Sequence, residues 1–274
     1  MPELPEIVVI SRQMNETVRG KIIEKVEIFQ PKCLNCDERD YLKYLPGRKV
    51  EQVSPFGKWI KIRFDNQDHL FISLGMGGEI IYFTDSAVIP EKSKLIVFFE
   101  DGSGFYITLW WFGYFHLVRQ GEKNQMTDQL GEDVLEISAD EFATLLKKRK
   151  RARIKSFLLN QKNLRGIGNF YIQEILFLAK LHPMRQIVSL SDDEIEHLYQ
   201  SIHQVMERSI ALGSSSYELD FFGKKGKYSL KELSFAYDED GCCPECGTKT
   251  QKIKTGSTIQ YICPSCQVLN ISDG

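Results

Sequence analysis

Four of the seven cysteines stand in two Cys-x-x-Cys knuckles, Cys243-Pro-Glu-Cys246 and Cys263-Pro-Ser-Cys266, separated by sixteen residues. Each short knuckle turn presents two thiolates to one point. Together the knuckles supply the four soft donors that a tetrahedral structural metal site requires, so one bound Zn2+ is expected there. A pair of disulfides is the competing arrangement, and a reducing cytosol disfavours it. Cys242 adjoins the first knuckle, but only Cys243 has the spacing to Cys246. Cys33-Leu-Asn-Cys36 has no partner knuckle, so two incidental free thiols outweigh a redox pair or a weak metal site.

With 274 residues the chain has room for two domains and a small appendage. Residues 4–19 read as a helix. Ile7, Ile10, Met14 and Val18 recur at helical spacing, Gly20 follows as a stop, and Pro2 and Pro5 fit only at the very start. From Lys21 to about Val118 the pattern changes to strands. They include 58–64, 70–73, 94–99 and 105–108, with turn signals at Asp65-Asn66 and Asp101-Gly-Ser-Gly104. A β-sandwich or barrel-like sheet pair carrying the first helix is predicted. Helices are predicted over 138–150, 154–159, 169–179 and 191–212, with Ser138 and Ser191 as N-caps and Glu141 three residues after the first. Residues 213–235, rich in Gly, Ser and Lys, read as mobile. The expected organisation is α+β: a β-sandwich domain over 1–120, a linker over 121–135, a helical domain over 136–235 and a four-cysteine module over 236–274.

Hydrophobic residues at 42% and charged residues at 26% are ordinary for a globular chain. No apolar run reaches membrane-span length, and the N-terminus lacks a secretory pattern, so a cytoplasmic location is expected. A net charge of −2 argues weakly against a polyanion partner, but the charge is unevenly spread. Lys147, Lys148, Arg149, Lys150, Arg151, Arg153 and Lys155 form one basic run. Lys224, Lys225, Lys227 and Lys231 form another, and Lys249, Lys252 and Lys254 a third, while Asp238-Glu239-Asp240 is acidic. Between two predicted helices, Gly166 and Gly168 allow a close-packed turn. The helix that follows offers free N–H groups suited to a phosphate, although a tight interhelical turn is the plainer account of a lone Gly-x-Gly.

Taken together, these residues resemble the formamidopyrimidine-DNA glycosylase and endonuclease VIII family of base-excision repair enzymes, nearly end to end. The resemblance rests on Pro2-Glu3-Leu4-Pro5-Glu6, Gly57-Lys58-Trp59, Leu74-Gly75-Met76-Gly77-Gly78, the segment from Gln161 to Glu174 with His182-Pro183, and the four-cysteine finger. It implies a helix–two-turn–helix element in the helical domain and a β-hairpin in the finger. It also implies a monomer of bacterial, nucleoid-associated type whose partner is damaged DNA. The implied activity is that of a bifunctional glycosylase and AP lyase acting on oxidised bases. Pro2, freed of Met1, is then the amine nucleophile, Glu3 the proton-transfer group and Lys58 a general acid. Glu6 is expected in the lesion pocket, Met76 as the side chain filling the gap left by a flipped base, and Asn169 and Lys155 on phosphates.

Departures from the family pattern cluster on the DNA-facing positions. In Trp110-Trp111-Phe112-Gly113, Trp111 stands where the family has an arginine directed at the base opposite the lesion. Ser73 stands for a phosphate-binding histidine, Thr258 for the finger's arginine, and Tyr237-Asp238-Glu239 for a Tyr-Gly-Arg-like stretch. These changes predict a relaxed opposite-base preference and weaker binding at moderate salt. A glycosylase with altered preference, an ordinary 8-oxoguanine and formamidopyrimidine enzyme, and a non-enzymatic lesion-binding protein are the readings that compete.

Overall fold

The computed structural model describes residues 1–234, 237 and 241–269. Asp238, Glu239 and Asp240 lie outside the described residues. By its contacts the chain divides into two units, one of 1–129 with 210–227 and the other of 130–209 with 228–274.

The first unit opens with helix α1 (Leu4–Val18), whose Leu4, Ile7, Ile10, Met14 and Val18 line one buried face. Strand β1 (Ile23–Ile28) and the short helix α2 (Glu38–Tyr44) follow, then β2 (Val50–Phe56), β3 (Trp59–Phe64), β4 (His69–Ser73), β5 (Glu79–Phe83), β6 (Leu95–Phe99), β7 (Gly104–Thr108) and β8 (Tyr114–Val118). They form two antiparallel four-stranded sheets, β1-β6-β7-β5 and β2-β3-β4-β8. Apolar residues of both sheets and of α1 share one core, including Ile60, Ile72, Phe115, Val97, Phe105 and Ile107. This is the predicted sandwich with a helix on it.

Register places three connections at one end of the second sheet. Phe56 pairs with Trp59, Ile60 with Ile72, and Ser73 with Tyr114. The turn at 57–58, the loop 74–78 leaving β4 and the loop 109–113 entering β8 therefore emerge side by side. Adjacent strands lie ~4.8 Å apart, so the outer two of these connections are separated by roughly 10 Å.

The segment 213–227 is not the loose tether its composition suggests. Phe221 is fully buried in the sandwich core, its N–H donates to Gln13 Oε1 (3.0 Å), and its carbonyl accepts from Tyr82 N–H (2.9 Å). Gln13 also donates to Asp220 Oδ2 at 2.9 Å. One aromatic side chain thus anchors a segment whose average composition is polar.

The second unit starts with β9 (Glu132–Asp133), which pairs in parallel with β10 (Leu164–Arg165), so part of the expected linker is in fact a strand. Helix α3 (Ala139–Lys147) carries a Ser138/Glu141 capping box. Helices α4 (Ile154–Leu159), α5 (Tyr171–Leu178) and α6 (Asp192–Ala211) follow, and Ser191 Oγ accepts the Glu194 N–H ahead of α6. Strands β11 (Gln251–Thr255) and β12 (Thr258–Ile262) make the hairpin between the cysteine knuckles. Buried Gln173 on α5 ties the hairpin down, donating to Ile259 O and accepting from Tyr261 N–H, both at 3.0 Å. Among the described residues no helix is long and apolar enough to cross a membrane.

Truncating Phe221→Ala leaves a cavity and should lower unfolding free energy by about 3–5 kcal/mol. Denaturant unfolding measures the loss, and limited proteolysis should show new cleavage within 213–227.

Candidate functional site

In the first unit the start of α1 is built from carboxylates. Glu3 is the N-cap, with extended backbone. Its side chain accepts the Glu6 N–H, while Glu6 Oε2 accepts the Glu3 N–H at 2.8 Å, forming a reciprocal capping box. The other oxygen, Glu6 Oε1, accepts the Ser215 N–H at 3.1 Å. Pro2, Glu3 and Glu6 are all buried. The Met1 ammonium pairs with Glu218 Oε1 at 3.0 Å, and with Met1 present the Pro2 nitrogen is an amide.

Lys58 was expected within a strand. It instead occupies the second position of a two-residue turn between β2 and β3. Gly57, at φ 60, takes the first position, where such hairpin turns need a left-handed residue. Burial pushes the Lys58 ammonium below the ordinary lysine range, and the negative charges of Glu3 and Glu6 act in the opposite direction. Glu3, Glu6 and Lys58 thus lie within one another's fields, as grouped in the sequence analysis.

The loops 74–78 and 109–113 lock together beside that turn. Met76 N–H donates to Trp111 O at 2.9 Å, and a Cβ on Gly75, at φ +59, would sit 2.0 Å from the same oxygen. Only glycine permits that approach. Met76 is 47% exposed, Trp110 69%, Trp111 63% and Phe112 66%. Phe112 holds φ 57, an uncommon strained value for an aromatic residue. Met76 is therefore not a core methionine.

In the second unit Asn169 is exposed directly ahead of α5. Gln161 shapes the preceding turn, donating to Leu159 O and Ile167 O and accepting from Gly166 N–H. Lys155 behaves unlike the rest of its basic run. Its neighbours from Lys147 to Arg151, and Arg153, are exposed, whereas Lys155 is 3% exposed. Its Nζ donates to Thr255 Oγ1 (2.7 Å) and Thr258 Oγ1 (3.1 Å), the two ends of the finger's hairpin turn. Burial without a carboxylate partner lowers this ammonium to about 8. Ser215 and Thr255 carry no signal in the sequence, because each acts through a single atom supplied to a distant side chain.

The four finger cysteines converge. Their Sγ atoms lie within 4.8 Å of one another, with separations of 3.8 Å (Cys243–Cys266), 3.4 Å (Cys246–Cys263) and 3.6 Å (Cys246–Cys266). Metal–sulfur bonds of ~2.3 Å give tetrahedral edges of ~3.8 Å, so the donor set fits a metal ion. Cys33 and Cys36 do not resemble a redox pair. Cys33 is buried and pushed up to about 11, and Cys36 is also raised by burial.

The depressed Lys155 group dictates a sign. Between about pH 8 and 10.5 the unfolded chain holds this proton and the folded chain does not, so the contribution of Lys155 to stability rises across that window. Below it, the buried charge is a penalty. Lys155→Met should melt higher than the parent at pH 7, with the gap closing as pH approaches 10.5. Thermal melts of both proteins across that range check it.

Two family models match: the formamidopyrimidine-DNA glycosylase N-terminal domain over residues 1–108 and the formamidopyrimidine-DNA glycosylase H2TH domain over 130–220. The formamidopyrimidine-DNA glycosylase of Listeria monocytogenes is 33% identical over 276 residues, spanning 97% of this chain and 100% of that protein. That of Lactobacillus helveticus is 30% identical, spanning 98% and 99%. Among solved structures, a Lactococcus lactis FPG mutant in complex with Fapy-dG containing DNA superposes with a TM-score of 0.87 at 28% identity, covering 98% of this chain and 100% of that one. The Lactococcus lactis Fpg complex with an abasic site containing DNA gives 0.87 at 28%, covering 97% and 100%. From the carboxylate-capped first helix to the four-cysteine finger, this chain belongs to the formamidopyrimidine-DNA glycosylase family.

Proposed function

We propose that this protein removes oxidised bases such as 8-oxoguanine or formamidopyrimidines from damaged DNA and then cleaves the abasic strand, with Pro2 as the nucleophile. The observation that carries the proposal is the buried Glu3/Glu6 pair acting on the depressed Lys58 ammonium at the start of α1. Mere binding of DNA needs no such group of titratable residues around a chain terminus.

Once Met1 is removed, Pro2 carries a secondary amine at a helix N-terminus, where the dipole favours its neutral form. The nitrogen attacks C1′ of the damaged nucleotide, the glycosidic bond breaks, and the base leaves with a proton. Glu3 transfers protons at the sugar ring. The adduct loses its one N–H proton, and the nitrogen lone pair then expels O4′ as the C1′–O4′ bond breaks and Glu3 delivers a proton to that oxygen; the resulting iminium acidifies the C2′ hydrogen. Its removal drives β-elimination at C3′ and then δ-elimination at C5′. Lys58, with its ammonium depressed, delivers a proton to a departing phosphate. Met76 fills the vacated position in the stack, with Trp111 and Phe112 beside it, while Glu6 fixes the pocket wall and Asn169 and Lys155 take phosphates. One structural Zn2+ on Cys243, Cys246, Cys263 and Cys266 holds the finger hairpin, and the sulfur separations support that assignment.

Borohydride trapping on an abasic-site oligonucleotide tests the chemistry. Protein with a verified Pro2 N-terminus should form a covalent adduct, and the absence of any adduct would favour a lesion-binding protein instead. Pro2→Gly should retain reduced trapping because an α-amine remains. Glu3→Gln should slow base release by about 10²–10⁴-fold, and undiminished release would refute the role given to Glu3. Metal analysis should find one zinc per chain, lost together with finger folding in Cys263→Ser.

A further inference from the structure

In the first unit a third carboxylate faces the start of the chain. Glu218 Oε1 holds the Met1 ammonium at 3.0 Å, and the Glu218 side chain is only 19% exposed, so its charge acts through a medium less screening than water. Its place is built by the 213–227 segment. Three residues earlier, the Ser215 N–H is held by Glu6 Oε1. Directly after it, Leu219 bridges to Lys225, and Asp220 N–H donates to Lys224 O. Gly226 N–H donates to Ser215 O and Lys227 N–H to Leu212 O, which closes the segment at its base. Buried Phe221 anchors it to the sandwich core.

The neighbouring ionisable groups have other tasks. Glu6 accepts an N–H on each oxygen, and Glu3 accepts the Glu6 N–H. Lys58, in the β2–β3 turn, is a cation under the influence of both. Asp220 accepts from Gln13 with one oxygen and from the Phe222 and Lys224 N–H groups with the other. Glu218 is the carboxylate that binds the terminal nitrogen itself.

Resting on the proposed function, we infer that Glu218 is the base that takes the one N–H proton of the Pro2 adduct. Removal of Met1 moves the terminal nitrogen back by one residue. The two nitrogens are joined by three bonds of ~1.5, ~1.5 and ~1.3 Å, so they lie within ~4 Å of each other. A glutamate side chain follows that step by turning about its own torsions. Attack by the amine forms the N–C1′ bond and leaves the nitrogen positive with one hydrogen. The N–H bond then breaks, the proton passes to Glu218, and the electron pair stays on nitrogen. That pair forms the C1′=N bond as C1′–O4′ breaks, and O4′ takes its proton from Glu3. The ring oxygen on C1′ draws electrons from the nitrogen, so this N–H is more acidic than that of the free ammonium and better matched to a carboxylate. Glu218 then passes the proton to water, and its restored charge faces the iminium.

The test is borohydride trapping on an abasic-site duplex, using full-length proteins whose Pro2 N-terminus is verified by mass. Glu218→Gln should slow trapping by about 10²-fold at pH 7 and by less than about threefold near pH 9.5, where hydroxide removes the same proton. Glu218→Asp should recover most of the rate. Binding to a duplex carrying a tetrahydrofuran analogue, which has no C1′ substituent and forms no adduct, should stay within about threefold of the parent, because deprotonation contributes nothing to it. Undiminished trapping by Glu218→Gln overturns the assignment. So does a loss that is equal at both pH values, or one matched by an equal loss of tetrahydrofuran-duplex binding, since either marks a structural role. If the parent itself forms no adduct, the function on which the assignment rests falls with it.

Discussion

One buried carboxylate holds the start of the chain in place. Glu6 accepts the Glu3 N–H with one oxygen and the Ser215 N–H with the other, joining segments 209 residues apart in sequence. A buried carboxylate with unfilled oxygens would be costly, and here both are occupied. The bond to Glu3 fixes the direction in which Pro2 leaves the helix. The bond to Ser215 brings in the 213–227 segment, whose Phe221 then completes the sandwich core. The charge remains, and with Glu3 it offsets part of the desolvation of Lys58. Glutamate is not among the preferred N-cap residues, so helix stability alone does not account for it. Under the proposed function, a local rule is broken where the chemistry needs acidic groups.

The elements with strong periodicity were legible from sequence. Helix α1 repeats Ile7, Ile10, Met14 and Val18 on one face, and α6 and the β3, β6 and β7 strands are nearly as plain. What escaped depends on single residues that run against their neighbourhood. Segment 213–227 averages as polar, and one phenylalanine decides its placement. The basic run around 150 averages as a solvated face. Lys155 leaves it because it falls on the inward side of α4, beside buried Ile154. Lys58 looked like a strand residue because the aromatic and aliphatic pattern begins at Trp59. Gly57, with its left-handed backbone, was the available sign that a turn intervenes. Two-residue pairings such as β9 with β10 are too short for any pattern to reveal.

The two desolvated lysines, half-buried Lys58 and buried Lys155, are solved differently. Lys58 has Glu3 and Glu6 within its field. Lys155 has two threonine hydroxyls and a lowered pKa, with no carboxylate contributing. An uncompensated buried cation destabilises the protein that carries it. Keeping one makes sense if an anion arrives later, and under the proposed function that anion is a DNA phosphate. Under that function, Lys155 leaves the free protein less stable than it could be, in a form that a phosphate would relieve.

This changes what Thr258 means. From sequence alone, a threonine where the family has an arginine looks like a loss of grip. In the fold, Thr258 and Thr255 are the two ends of the hairpin turn, and both accept from the Lys155 ammonium. An arginine at 258 would place a second cation against that ammonium, where neither could be readily desolvated. Threonine instead accepts a hydrogen bond and leaves the positive charge on α4. The cation is therefore not removed from the hairpin turn but supplied to it from behind, by a side chain whose charge depends on pH near 8 rather than by a permanently charged guanidinium.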